Sequence, residues 1–408
     1  MNYESIIAAQ KSASVEVVRR LDRLEAYLRD DPGNASLLAE AFETALIARQ
    51  WDRAQFHMQH ALALNPGSLA WSLREADFWL AQGKSDEALN VLHKLESLAS
   101  PPPGLADAVL HNLALLDFQS NQYVQCIARL QSRMDTDAAP GFSLPLTKLW
   151  LRALHQSGEL DRAVQWVLHL SPEHRLDPDV SGIASLIALD SQRFDLAGEW
   201  SEAALVHVGQ SKRPMEALIA QASLALARRD AARARELSLA ALQMNPADGR
   251  SWSTCAFAEL LAGEAALASQ HFQTAIQTMP EHIGTWHGLG WSRLIQHQLE
   301  SARSAFEAAL ALDRNFSESH GGLAVVLALE NNLRGATEHA ERALRLDPAN
   351  LSGRFAQAIL RGEISNPQAF EQLAQRLLSD QAAPLGGGSI WSGALQSAMA
   401  RSVNARAD

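Results

Sequence analysis

The chain has 408 residues, a formal net charge of −11, 47% hydrophobic residues and only 6% aromatic ones. An acidic chain with no local basic patch disfavours nucleic acid and anionic membrane as main partners, and the alanine-rich, aromatic-poor composition fits a helical array better than a β-sandwich. There is no run of about 18 apolar residues, so no membrane span is expected, and Met1 to Ser5 lack the basic-then-apolar order of a secretory signal.

In chain order, residues 1–34 read as a degenerate helical unit. Val15, Val18, Leu21, Leu24 and Leu28 keep helical spacing, and the segment stops at Asp31-Pro32. A clear helix pair follows from Ala35 to about Ser68, marked by Ala54, Met58, Ala61 and Pro66. The next, to about Pro102, carries Ala76, Trp79, Gly83, Ala88 and Leu92, with Ala88 34 residues after Ala54. Ser100 to Gly104 is a breaker cluster. A looser unit with Leu113, Ala114, Cys126 and Leu130 comes next, then an irregular link from Asp135 to Pro145. Trp150, Gly158 and Ala163 mark another unit, and Phe194, Ala197 and Ala204 one more. The register slips around Val208 to Pro214, before Ala222, Ala234, Ala241 and Pro246 restore it.

The strongest block runs from Gly249 to Pro348. Ala268, Ala302 and Ala336 recur every 34 residues, with Phe272, Phe306, Ala275, Ala309 and Ala343 at matching offsets. Trp286, Leu289 and Gly290 lie ahead of Ala302 on the first helix of their pair. Small residues at Gly290 and Ala302 let the two helices approach closely, while Trp286 and Phe306 fill the space beside them. Pairs end on Leu-Asn-Pro or Leu-Asp-Pro, since proline cannot continue a helix, although Arg314 stands where proline is expected. This pattern resembles the tetratricopeptide repeat (TPR), a helix-turn-helix unit of about 34 residues. The resemblance implies an all-α fold, a right-handed α-solenoid of stacked repeats, with about nine repeats over 35–350. A solenoid grows by addition, so one continuous core is expected.

After Pro348 the pattern fades. Residues 351–380 are expected to cap the array, and 381–408 form a Gly-rich linker (Pro384 to Gly388) and an amphipathic tail. Ile390, Trp391, Leu395 and Met399 share one face of that tail, which makes it either a final cap or an interaction peptide.

In such arrays the first helices line the concave face. The groove-facing ninth position holds Glu43, Asp77, Leu115, Arg152, Leu186, Ser223, Phe257, Trp291 and Val325. With His287 and Leu294, the last three form an apolar, aromatic strip expected to be exposed and to bind a partner; packing against the neighbouring helix is the competing reading for Phe257 and Trp291. Subfamily features are missing. Chaperone-carboxylate clamps resemble one another in a Lys/Asn/Arg set, yet no asparagine occupies the ninth position here and lysine is scarce. The asparagine ladder of O-linked glycosyltransferases is broken at Thr254, Gly288 and Gly322.

Catalytic chemistry finds little support, and neither cofactor nor metal is expected. His57 and His60 sit three apart on a helix with no obvious third ligand. Gly288-Leu289-Gly290 lacks the third glycine and the strand of a dinucleotide fingerprint. Cys255 has no evident activating base. The two cysteines, Cys126 and Cys255, fall in predicted helices, which points to a reducing compartment, and the Asn34, Asn315 and Asn350 sequons read as inter-repeat turns. The expected function is a cytoplasmic, bacterial-type adaptor or chaperone gripping a polypeptide in its groove. The alternatives are a secretion- or pilus-system component, a scaffold self-assembling through its tail, and a metal-dependent enzyme built on His57 and His60.

Overall fold

The computed structural model describes residues 3–102, 104–134, 142–206 and 213–363, and every regular element among them is a helix. They fall into two compact units, Met1–Pro214 and Met215–Asp408. The division comes where the sequence register slips.

Unit 1 opens with α1 (Tyr3–Asp30), then pairs α2 (Ala35–Ile47) with α3 (Trp51–Leu64) and α4 (Leu69–Ala81) with α5 (Ser85–Glu96). It continues with α6 (Leu105–Gln119) and α7 (Tyr123–Met134), α8 (Leu144–Gln156) and α9 (Leu160–His169), the short α10 (Pro172–Arg175), and α11 (Pro178–Asp190) with α12 (Phe194–Val206). Unit 2 pairs α13 (Met215–Ala227) with α14 (Ala231–Met244) and α15 (Gly249–Ala262) with α16 (Ala265–Thr278). Then come α17 (Ile283–Ile295) with α18 (Leu299–Leu312), α19 (Ser317–Leu329) with α20 (Leu333–Leu346), and α21 (Leu351–Leu360). Residues 3–30 form one uninterrupted helix rather than a pair, because no glycine or proline breaks the run. The expected helix at Gln368 to Leu378, the linker and the tail lie outside the described residues.

Each of the nine described hairpins turns through one left-handed residue: Arg49, Gly83, Asn121, Gly158, Gln192, Arg229, Gly263, His297 or Asn331, with φ between 54° and 83°. The next residue's N–H reaches back five positions, as in Gln50 to the Ala45 carbonyl at 2.9 Å, Glu264 to Glu259 at 2.8 Å and Asn332 to Leu327 at 2.9 Å. Its own carbonyl then accepts the first bond of the second helix, as Gln50 does from Ala54 at 2.9 Å. This closure satisfies the orphan carbonyls at the helix end and starts the next helix at a set angle. Side-chain caps begin several first helices. Asn34 accepts from the Leu37 N–H, Ser68 from Trp71, Asp248 from Ser251 and Asn350 from Gly353. Two of the sequon asparagines are thus helix caps.

In unit 2 a second device joins successive hairpins. The fourth residue of α15, α17, α19 and α21 bonds to the carbonyl six residues earlier: Trp252 to Pro246 at 2.7 Å, Trp286 to Pro280 at 2.7 Å, His320 to Arg314 at 2.9 Å and Arg354 to Pro348 at 2.9 Å. Arg314, in the place of a proline, serves this bond equally well, since only its carbonyl is used. Within the hairpins Ala268, Ala302 and Ala336 are completely buried. The small-residue reading of Gly288-Leu289-Gly290 holds: a Cβ at Gly288 would lie 2.3 Å from Phe272, and one at Gly290 2.6 Å from Phe306.

Candidate partner-binding surface

On successive first helices, polar side chains about one repeat apart reach each other. In unit 1 Arg74 of α4 donates to Glu43 of α2 at 3.0 Å, and Asn112 of α6 donates to Asp77 of α4 at 2.6 Å. Farther along, Lys148 of α8 donates to Asp179 of α11 at 2.6 Å, and His155 pairs with Asp190 at 2.7 Å. Burial pushes the Asp77 carboxyl above the usual carboxylate range; the bond from Asn112 and the charge of Arg74 offset this only in part. Exposure separates the Arg74–Glu43 and Lys148–Asp179 pairs from core polar groups, because the Glu43 and Asp179 side chains keep 59% and 55% of theirs.

In unit 2 the polar pairs between neighbouring repeats sit nearer the starts of the first helices. Ser253 and Thr285 meet at 3.1 Å, and Glu318 accepts from Asn350 at 2.8 Å and Ser352 at 3.0 Å. Burial raises the Glu318 carboxyl, with the Ser352 bond working against it. Ser253, Thr285, Asn350 and Ser352 are buried in the packing, and Glu318 is half-buried.

The expected apolar strip is therefore corrected in its exposure. His287 and Val325 are completely buried, and Trp291 and Leu294 are buried too, leaving Phe257 half-exposed. The cause is aromatic packing. Trp291 stands edge-on to Phe306 with centroids 5.7 Å apart, and its Nε1 donates to His287 Nε2 at 2.9 Å. Phe257 stands edge-on to Phe272 at 4.8 Å. Full burial disfavours the charged imidazole and brings His287 down to about 3. In unit 1 the ninth position is exposed at Glu43 and Arg152 and half-exposed at Asp77, Leu115 and Leu186. The sequence named these residues in the groove-facing series, but their aromatic counterparts drew attention away from them. Ile390, Trp391, Leu395 and Met399 lie outside the described residues.

Residues 45–101 match the family model of the tetratricopeptide repeat. The matched stretch runs from the end of α2 through α3, α4 and α5. This segment carries a tetratricopeptide repeat. Among solved structures, the APC/C hetero-tetramer Cut9–Hcn1 is similar with a TM-score of 0.52, over 88% of this chain and 76% of that one, at 16% identity. The human IFIT1 dimer with m7Gppp-AAAA gives 0.49 over 93% and 94% at 14% identity. YrrB, a TPR protein with an unusual peptide-binding site, gives 0.37 over 48% and 97% at 15% identity. At such identities the first of these likenesses speaks for the fold alone. A comparison with curated protein sequences finds no match.

Elsewhere in the chain, α1 and α3 line a cavity of about 450 Å³ with Glu25, Arg53, Phe56, His57 and His60, among others. Buried His57 meets the Glu25 carboxylate through Nε2 at 3.0 Å, and Arg53 grips the same carboxylate at 2.8 and 2.7 Å. Burial raises the Glu25 carboxyl, but the Arg53 and His57 hydrogen bonds outweigh it and leave the group below its usual range. Among the described residues, the convergence of three metal-ligating side chains does not involve His57 or His60; it occurs at Cys255, Glu259 and His271. No described helix is long and apolar enough to cross a membrane.

Proposed function

We propose that this chain is a non-enzymatic adaptor that takes an extended polypeptide along the first-helix face of unit 1. The observation carrying this reading is the series of polar side chains on α2, α4, α6, α8 and α11, paired to one another yet partly open to solvent. Such a row offers acceptors at Glu43 and Asp77 and cations at Arg74, Lys148 and Arg152. These can meet the backbone amides and side chains of an extended chain without being reordered. Residues held in place before binding lower its entropic cost, and rim charges favour one register over others. The half-exposed Leu115 and Leu186 supply apolar contact between the polar groups. The two buried free thiols, Cys126 and Cys255, agree with work in the cytoplasm.

Selection of peptides from a random display library on the full chain tests the proposal. Selected peptides should lose at least about tenfold in affinity to the Glu43→Lys, Arg152→Glu double variant while helicity stays unchanged, as expected when interface charges are reversed. Undiminished binding by a folded double variant would reject this surface.

A further inference from the structure

Three side chains of different chemistry converge inside the α15–α16 hairpin. Cys255 and Glu259 lie one turn apart on α15, and His271 faces them from α16. Cys255 Sγ is 3.7 Å from Glu259 Oε1, His271 Nδ1 is 2.8 Å from Glu259 Oε2, and one ligand atom from each residue lies within 4.8 Å of the other two. All three residues are buried. Trp252 packs against the imidazole with ring centroids 4.8 Å apart, fixing its plane.

We propose that Cys255, Glu259 and His271 form a zinc-binding tripod. Zinc takes sulfur at about 2.3 Å and nitrogen or oxygen at about 2.0–2.1 Å, which places tetrahedral ligand atoms roughly 3.3–3.6 Å apart. The distances in the hairpin bracket that range, so side-chain shifts of about an ångström bring the three ligand atoms around one cation. Thiolate, imidazole and carboxylate together form a borderline ligand set that suits zinc and excludes calcium or magnesium, which take oxygen ligands. Three protein ligands leave the fourth position to water.

On binding, the Cys255 thiol proton is released to solvent and an Sγ–Zn bond forms. His271 exchanges its Nδ1 contact with Glu259 for a bond from the Nδ1 lone pair to zinc, with the ring proton carried on Nε2. Glu259 is already the hydrogen-bonded partner of His271, and Arg235 approaches its Oε1 at 3.7 Å. The entering dication thus meets two anionic ligands and one nearby cation. Cys126 is a built-in contrast: it is buried in α7 beside the Asp117–Arg129 pair and belongs to no such grouping of ligands.

Cobalt(II) titration of the chelator-treated full chain, followed by zinc competition, decides the matter. One equivalent of cobalt should produce a thiolate-to-metal charge-transfer band and strong visible absorption, and zinc should abolish both. Cys255→Ser should remove the charge-transfer band, Glu259→Gln should weaken binding at least about tenfold, and Cys126→Ser should leave the spectrum unchanged. A wild-type chain without the charge-transfer band overturns the proposal and leaves a hydrogen-bonded network only. A band that persists in Cys255→Ser, or vanishes in Cys126→Ser, overturns it as well. Circular dichroism monitors folding, and if Cys255→Ser loses helicity, the wild-type titration and the Cys126→Ser control carry the decision.

Discussion

A Cβ at Gly322 would lie 2.5 Å from Cε1 of Phe306. A Cβ at Gly290, on the preceding first helix, would lie 2.6 Å from the same ring, and Phe306 is completely buried between these first helices. One aromatic ring thus sets the spacing of two consecutive hairpins, and the glycines are required by volume rather than by backbone conformation. Gly322→Ala should therefore destabilise by roughly 1–3 kcal/mol despite alanine's better helix propensity. Urea denaturation checks this; an unchanged midpoint would mean that the ring moves aside freely.

Ala302 faces the same interlock from α18 and has no exposed surface. Ala302→Leu should cost roughly 1–3 kcal/mol through overpacking. Thermal unfolding of the variant measures it, and a rise in midpoint would contradict close packing there.

Trp291→Ala distinguishes a core residue from a surface one. Because Trp291 packs on Phe306 and donates to His287, truncation should cost about 3–5 kcal/mol, the usual range for a buried large aromatic. Chemical denaturation reads the loss. A fully stable Trp291→Ala chain would return this side chain to the surface.

The left-handed turn residues allow a paired test. Gly263 has φ of 83° and Arg229, whose side chain is exposed, has φ of 61°. Gly263→Ala should lose about 1–2 kcal/mol, the left-handed cost of a Cβ. Arg229→Gly should gain up to about 1 kcal/mol after the added freedom of the unfolded chain is subtracted. Opposite signs in urea midpoints are expected; equal signs would rule out conformational strain as the cause.

His287 couples stability to pH. It stays neutral in the fold down to about pH 3, whereas in the unfolded chain it takes up a proton below about 6.5. Between those values protons bind preferentially to the unfolded state. Its contribution is thus whole above pH 6.5 and is lost progressively as pH falls toward 3, by at most about 1.4 kcal/mol per pH unit. His287→Gln keeps an acceptor for Trp291 but cannot titrate, so its stability should fall less steeply over that interval. Parallel pH profiles for the two chains would refute the link.

The hairpins were legible in the sequence because what makes them is local. A 34-residue recurrence of alanine and phenylalanine reports helices that meet within one repeat, and the Asn34 and Ser68 caps lie within three residues of the groups they satisfy. The turn also closes locally, although arginine, glutamine and histidine adopt a left-handed conformation there that composition gives no reason to expect. Exposure along the first helices could not be read in the same way. Glu43 and Trp291 share the ninth position, and one is open while the other is sealed, because the neighbouring repeats put different side chains around them. The meeting of Cys255 and Glu259 with His271 likewise required the folded hairpin. Spacing along one helix shows which residues share its face; what covers that face is decided by the packing of other helices.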